Sequence, residues 1–176
     1  MAFDNFGIDT SAETKSIGKQ VDSTNITDTD LSDVKITMSR DSNFEYCPSY
    51  SIEIHGNGTV IYKGYENVVL RGQHVSKIST EKIKELVNDF YKVDYLNLND
   101  EYGIANPTDN PIVKTSIDID GNFKSVYECY CVIGLLELEK LRDLENKIDE
   151  ITNSSQWVGT PRVWIQHFQD IVDREQ

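Results

Sequence analysis

Four groups of residues in this chain are of types that do chemistry in other proteins. Cys47 sits in the run Tyr46-Cys47-Pro48-Ser49-Tyr50, and three histidines lie elsewhere in the chain. A catalytic thiol needs a base and surroundings that favour the thiolate. No cysteine-hydrolase pattern surrounds Cys47, and Glu45 and Glu53 nearby oppose its ionisation. Cys129 and Cys131 lie two apart on a strand-like stretch, hence on one face. With Cys47 and a histidine they would make a zinc set, but no second pair of ligands has zinc spacing. Packed core thiols account for them more simply. Asp118-Ile-Asp120-Gly-Asn122 has the flavour of a calcium loop, yet its glycine is misplaced and no glutamate follows at the required distance. A hairpin turn explains it. Asp100, Glu101 and Asp109 bring carboxylates into one long loop with Tyr102, a candidate for acid–base work, although solvated or capping carboxylates are the plainer reading. No phosphate-binding glycine loop, Ser-His-Asp pattern or basic stripe is present. The sequence therefore assigns no catalytic residue, no metal and no cofactor.

A second possibility is recognition. Phe44, Tyr46, Tyr50, Tyr62 and Tyr65 cluster around the Cys-Pro run, and tyrosines are good interface anchors. The candidate binding surface is Phe44, Tyr46, Cys47 and Tyr50, joined by Asp100, Tyr102 and Asp109 from the later loop. The competing reading is that these aromatics fill the core face of a sheet.

The balance of charge narrows the partners. The 176 residues carry a formal charge of −13. Residues 1–33 hold seven acids against Lys15 and Lys19, and the rest of the excess is spread along the chain. Such a protein repels nucleic-acid backbones and anionic membranes, so neither is expected as a partner, whereas a basic protein is. No apolar run with a basic flank opens the sequence, and no apolar run is long enough to span a bilayer. Three cysteines are an odd number and few for the size, which suits reduced thiols and a cytoplasmic location.

The elements that must position these residues follow from periodicity. Residues 1–31, rich in Ser, Thr, Asp and Asn, read as a flexible tail. Residues 32–159 read as one domain, and 160–176 as a helical appendage opened by Thr160-Pro161. Val34, Ile36 and Met38 alternate with polar residues as in a strand. In the following hairpin, a three-residue loop Gly56-Asn57-Gly58 pairs Ile54 with Val60 and Ile52 with Tyr62, gathering four apolar side chains on one face. A two-residue loop would scatter them, so the longer loop is expected. Val68-Val69-Leu70 reads as a third meander strand. Ser79 caps a helix whose face is Ile83, Leu86, Val87, Phe90 and Val93, with Ile78 and Ile83 as its staple. A second hairpin is expected to turn through Asp120-Gly121-Asn122, pairing Ile119 with Phe123. Leu138, Leu141, Leu144, Ile148 and Ile151 mark a second long helix. The order β-β-β-β-α-β-β-α plus a short C-terminal helix predicts an α+β fold, an antiparallel sheet with helices on one face.

Several stretches resemble one bacterial domain family of unknown function, DUF6438. They are Cys47-Pro48-x-Tyr50-x-Ile52-x-Ile54, Gly56-Asn57-Gly58-Thr59-Val60-x-Tyr62-x-Gly64, the helix end at Asp94-Tyr95, Asp100-x-Tyr102, Asp109-x-Pro111 and Trp157-x-Gly159. The resemblance covers roughly residues 34–159. It implies an α+β domain and brings no reaction, cofactor or substrate. Members often carry a second cysteine four residues before the Cys-Pro, where this chain has Asn43, so the loop disulfide such members can form is impossible here. The functional expectation is a small acidic protein-binding domain, of inhibitor or immunity type, without catalysis. The alternatives are a hydrolase-like enzyme using Cys47 or the carboxylates of Asp100–Asp109, and a purely structural module.

Overall fold

A computed structural model of the chain describes residues 30–41, 47–103, 111–129 and 135–159. Seven strands form one sheet: β1 (Lys35–Asp41), β2 (Ser49–His55), β3 (Thr59–Glu66), β4 (Gly72–Lys77), β5 (Glu101–Tyr102), β6 (Ile112–Ile119) and β7 (Asn122–Cys129). Their spatial order is β4-β3-β2-β1-β6-β7-β5. All neighbours are antiparallel except the short β5, which runs parallel to β7. The helices are α1 (Thr80–Lys92), α2 (Leu136–Thr152) and the single turn α3 (Ser155–Val158). The α+β class expected from the sequence is the observed one.

The first hairpin has the expected register, with Ile54 opposite Val60 and Ile52 opposite Tyr62. Gly58 takes φ +85, and a Cβ there would sit 2.4 Å from the Ile78 carbonyl oxygen. That carbonyl's residue is held in place because the Ile78 N–H donates to Gly58 O at 2.9 Å. The turn and the start of α1 are thus one packed unit. Ser79 is the N-cap of α1, its hydroxyl accepting from the Lys82 N–H.

Two expectations are corrected. Val68-Val69-Leu70 is not a strand; it bends away after Asn67, which is left-handed at φ 53. The Val69 and Leu70 N–H groups donate instead to the carbonyls of Val158 and Trp157. The fourth strand is Gly72–Lys77, an edge strand whose side chains lie mostly outside the core. The second hairpin uses a two-residue turn: Ile119 faces Asn122 and Ile117 faces Lys124. Asp120 and Gly121 both have positive φ, 51 and 72, as a type I′ turn requires. That register puts Val126 in the core and turns Phe123 to the opposite face, 68 % exposed. Matching apolar neighbours across the turn was the wrong criterion, because the cross-strand partners of Ile117 and Val113 are the partly buried Lys124 and the buried Glu128.

One sheet face carries Ile36, Met38, Ile52, Ile54, Val60, Tyr62, Val113, Ile117 and Val126, which pack against the apolar stripes of α1 and α2. The other face carries Lys35, Thr37, Glu53, Lys63, Val75, Lys114, Ser116, Asp118, Phe123, Ser125 and Tyr127 by the same alternation. No helix of the described residues covers it. Nor is any of these helices long and apolar enough to cross a membrane. Residues 1–29 of the expected tail and the helix after Thr160 lie outside the described residues, while Leu31, the tail's last residue, is buried in the core.

Candidate functional site

The structure does not gather the expected site residues into one place. Tyr50 belongs to β2, which Cys47 shortly precedes, whereas Tyr102 belongs to β5, which Asp100 immediately precedes. These strands are four positions apart in the sheet, about 19 Å at roughly 4.8 Å per step. Phe44, Tyr46 and Asp109 lie outside the described residues. Cys47 is a free, half-buried thiol, and its carbonyl accepts from the Asn67 side chain at 3.1 Å. His55 ends the strand that Cys47 precedes, about 20 Å along it, and pairs with Glu53 at 2.7 Å. His74 stacks near Trp157 and meets the Arg71 carbonyl at 3.2 Å. Cys129, expected as a packed reduced thiol, is instead disulfide-bonded, with its partner outside the described residues.

Tyr50 and Tyr102 do not serve a surface. They are only 3 % and 5 % exposed. The Tyr50 hydroxyl donates to Asp149 Oδ1 at 2.8 Å, and burial, reinforced by the Asp149 charge, pushes its phenol far above the ordinary range. The same carboxylate accepts from Arg40 Nε at 3.0 Å and from Ser154 Oγ at 2.6 Å. Asp149 thus joins β1, β2 and the end of α2, with its oxygens already engaged by three donors.

This junction belongs to a polar seam beneath α2 that the sequence reading missed. Glu128, 0 % exposed, accepts from Arg142 Nε through Oε1, while its Oε2 is buried with no hydrogen bond among the described residues. Burial raises its pKa above the usual carboxylate value, opposed by Arg142. Glu145 Oε1 accepts from Thr115 Oγ1 at 3.1 Å, and the Tyr95 hydroxyl donates to the Thr115 carbonyl at 2.5 Å. Tyr62, stacked on Trp157 at 4.9 Å, has its hydroxyl buried with no hydrogen-bond partner among the described residues, and burial pushes its pKa up to about 12. One feature of the sequence pointed to the seam: Glu145 stands four residues after Leu141, on the apolar stripe of α2.

The accessible feature is on the other face. A groove of about 470 Å³ runs along β7 beside β5, bounded by Asp100, Glu101, Lys114, Phe123, Ser125 and Tyr127. Its floor is stiffened by Lys124, whose Nζ reaches the Leu98 carbonyl and Asp100 Oδ1, both at 2.5 Å. The Tyr127 hydroxyl is buried here and has no hydrogen-bond partner among the described residues. The type I′ turn sets Asp120 at one end, and Asp118 stands opposite Phe123 in the ladder. The groove holds Asp100 and Glu101 against Lys114 and Lys124, and Asp118 opposite the exposed ring adds an acidic excess that suits recognition of a cation. Among the described residues no group of three or more His, Cys, Asp or Glu side chains is placed to hold a metal ion.

A search among curated proteins finds no match for this chain. A family profile does match, over residues 34–152, a stretch from just before β1 to the end of α2 that holds both the sheet and the long helices. With more than half its length matched, the chain belongs to the family described as a domain of unknown function, DUF6438.

Proposed function

We propose that this domain binds a basic protein and performs no chemistry of its own, and that its docking site is the groove centred on Phe123. The observation that carries the reading is the 68 % exposure of this large ring at a groove lined by Asp100 and Glu101 with Lys114 and Lys124, where Asp118 opposite the ring tips the balance to acid. Interfaces favour aromatic anchors, and the overall charge of −13 speeds association with a positively charged partner. An inhibitor or immunity-type role is one form of this reading. A photo-crosslinking amino acid placed at position 123, and separately at the exposed Val75 of β4, tests it in the cells that express the protein. Adducts with a basic protein at 123 and none at 75 are expected. Absence of any adduct at 123 sinks the proposal.

A cytoplasmic location belongs to the same proposal. Its support is Cys47, a free and partly exposed thiol. The disulfide at Cys129 weighs against it, since reducing compartments disfavour such bonds. Alkylating the protein under denaturing conditions without reductant decides. Three modified thiols support the cytoplasm, and a single one, at Cys47, rules it out.

A further inference from the structure

Among the described residues, β7 is only half covered along its outer edge. β5 pairs with it at Glu101–Tyr127 and Tyr102–Glu128 and no further. The Tyr127 N–H points outward, because it donates to the Asp100 carbonyl at 2.8 Å. In an antiparallel ladder each residue turns its N–H and C=O to the same side, and the side alternates along the strand. Ser125 and Phe123, two and four residues before Tyr127, therefore turn their backbone groups outward as well. Among the described residues no backbone hydrogen bond from outside the strand ladders reaches either of them. The edge without a partner among the described residues is about 13 Å long, four residues at roughly 3.3 Å each. Phe123, Ser125 and Tyr127 also line the groove, so the free backbone and the exposed ring lie in the same place.

Charge favours one kind of occupant. Glu101 and Asp118 stand on the open face, opposite Tyr127 and Phe123 respectively. Lys114 and Lys124 line the groove as well, but Lys124 is paired with Asp100, so Glu101, Asp118 and the exposed Asp120 of the turn outnumber the one remaining lysine. At the other edge of the sheet, β4 is flanked by Arg71 and ends in Lys77, so its rim has the opposite sign.

We infer that the uncovered half of β7 receives an extended segment of the partner as an added strand, with lysine or arginine side chains on the open face beside Phe123, Glu101 and Asp118. This rests on the protein-binding reading above and specifies its mode. Main-chain hydrogen bonds to Phe123 and Ser125 supply the register, and alternate side chains of the segment meet the ring and the two carboxylates.

The test uses the full chain and a fluorescent heptapeptide alternating lysine and threonine, read by polarisation. Two derivatives carry N-methyl groups, one on every lysine nitrogen and one on every threonine nitrogen. An added strand turns only one of these sets toward β7. One derivative should therefore lose at least about tenfold in affinity, the equivalent of roughly 1.4 kcal/mol, while the other keeps most of it. F123S should weaken the parent peptide. If the peptide and both derivatives bind alike, binding is by charge alone. Strand addition is then overturned, and the basic-partner reading stands on the crosslinking result. If the parent peptide does not bind, the inference is also overturned, and crosslinking at 123 still judges the broader reading by itself.

Discussion

Asp149 holds three donors at once, Arg40, Tyr50 and Ser154, at distances of 2.6 to 3.0 Å. D149N would keep its shape but offer one carbonyl oxygen where two carboxylate oxygens now accept, leaving the Arg40 charge poorly matched in a mostly buried position. Because the pair keeps some solvent access, the expected loss is about 2–3 kcal/mol in urea unfolding; a loss below about 0.5 kcal/mol would contradict the structural role. Glu128 makes a prediction of sign. Its folded pKa lies above the ordinary carboxylate value because burial outweighs Arg142. The folded state then binds the proton more tightly than the unfolded state, so Glu128 favours folding at low pH, and this contribution is lost as pH rises through its folded pKa. E128Q has no such proton to lose. The stability of E128Q relative to the parent should therefore rise between about pH 4 and pH 7. A fall over that range would show that Arg142 wins and holds Glu128 ionised. Neither role was legible beforehand. A tyrosine near a Cys-Pro run reads equally as surface or core, and the choice was made by Asp149, a carboxylate 99 residues away in sequence.

At the scale of elements, periodicity located α1 and α2 and the first hairpin because their apolar residues fall on one face with a single consistent register. It misread the second hairpin because the β7 core face holds Glu128 and the stem of Lys124 beside Val126. Charged residues there only make sense once α2 brings Arg142 to the sheet. The strand placed at Val68-Val69-Leu70 failed for a related reason: α3 supplies the hydrogen-bond acceptors that a neighbouring strand would otherwise have given. Two glycines separate the local from the tertiary contribution. At Gly121, φ is +72 and nothing lies within 4 Å of a built Cβ, so G121A should cost only the left-handed backbone penalty, about 1–2 kcal/mol. At Gly56, a Cβ would fall 1.5 Å from the Leu31 carbonyl oxygen. G56A must push the segment before β1 away from the hairpin, breaking the Gly56 N–H bond to Val34 O and exposing buried Leu31 and Val34. Its loss should exceed that of G121A by at least about 1 kcal/mol in denaturant unfolding. Equal losses would mean that residues 31–34 do not pack where the structure places them.

For the whole molecule, the decisive property is sidedness. Two long helices cover one face of a seven-stranded sheet, and the chain's apolar residues divide unequally between the faces. The proposed binding site exists only because the type I′ turn sends Phe123 to the open side and Val126 to the core. A slip of one residue would exchange every side chain of β7 between the faces. The two arrangements predict opposite results from one pair of variants. In the observed register, F123S removes an exposed ring and should change unfolding stability by no more than about 0.5 kcal/mol. V126A leaves a void against the helices and should cost about 2 kcal/mol. In the slipped register, F123S would cost about 3 kcal/mol or more as a core truncation and V126A would be nearly silent. Denaturant unfolding of both proteins therefore tests the face on which the docking site is built, independently of any partner. A costly F123S with a harmless V126A would remove the site and leave the α+β architecture standing.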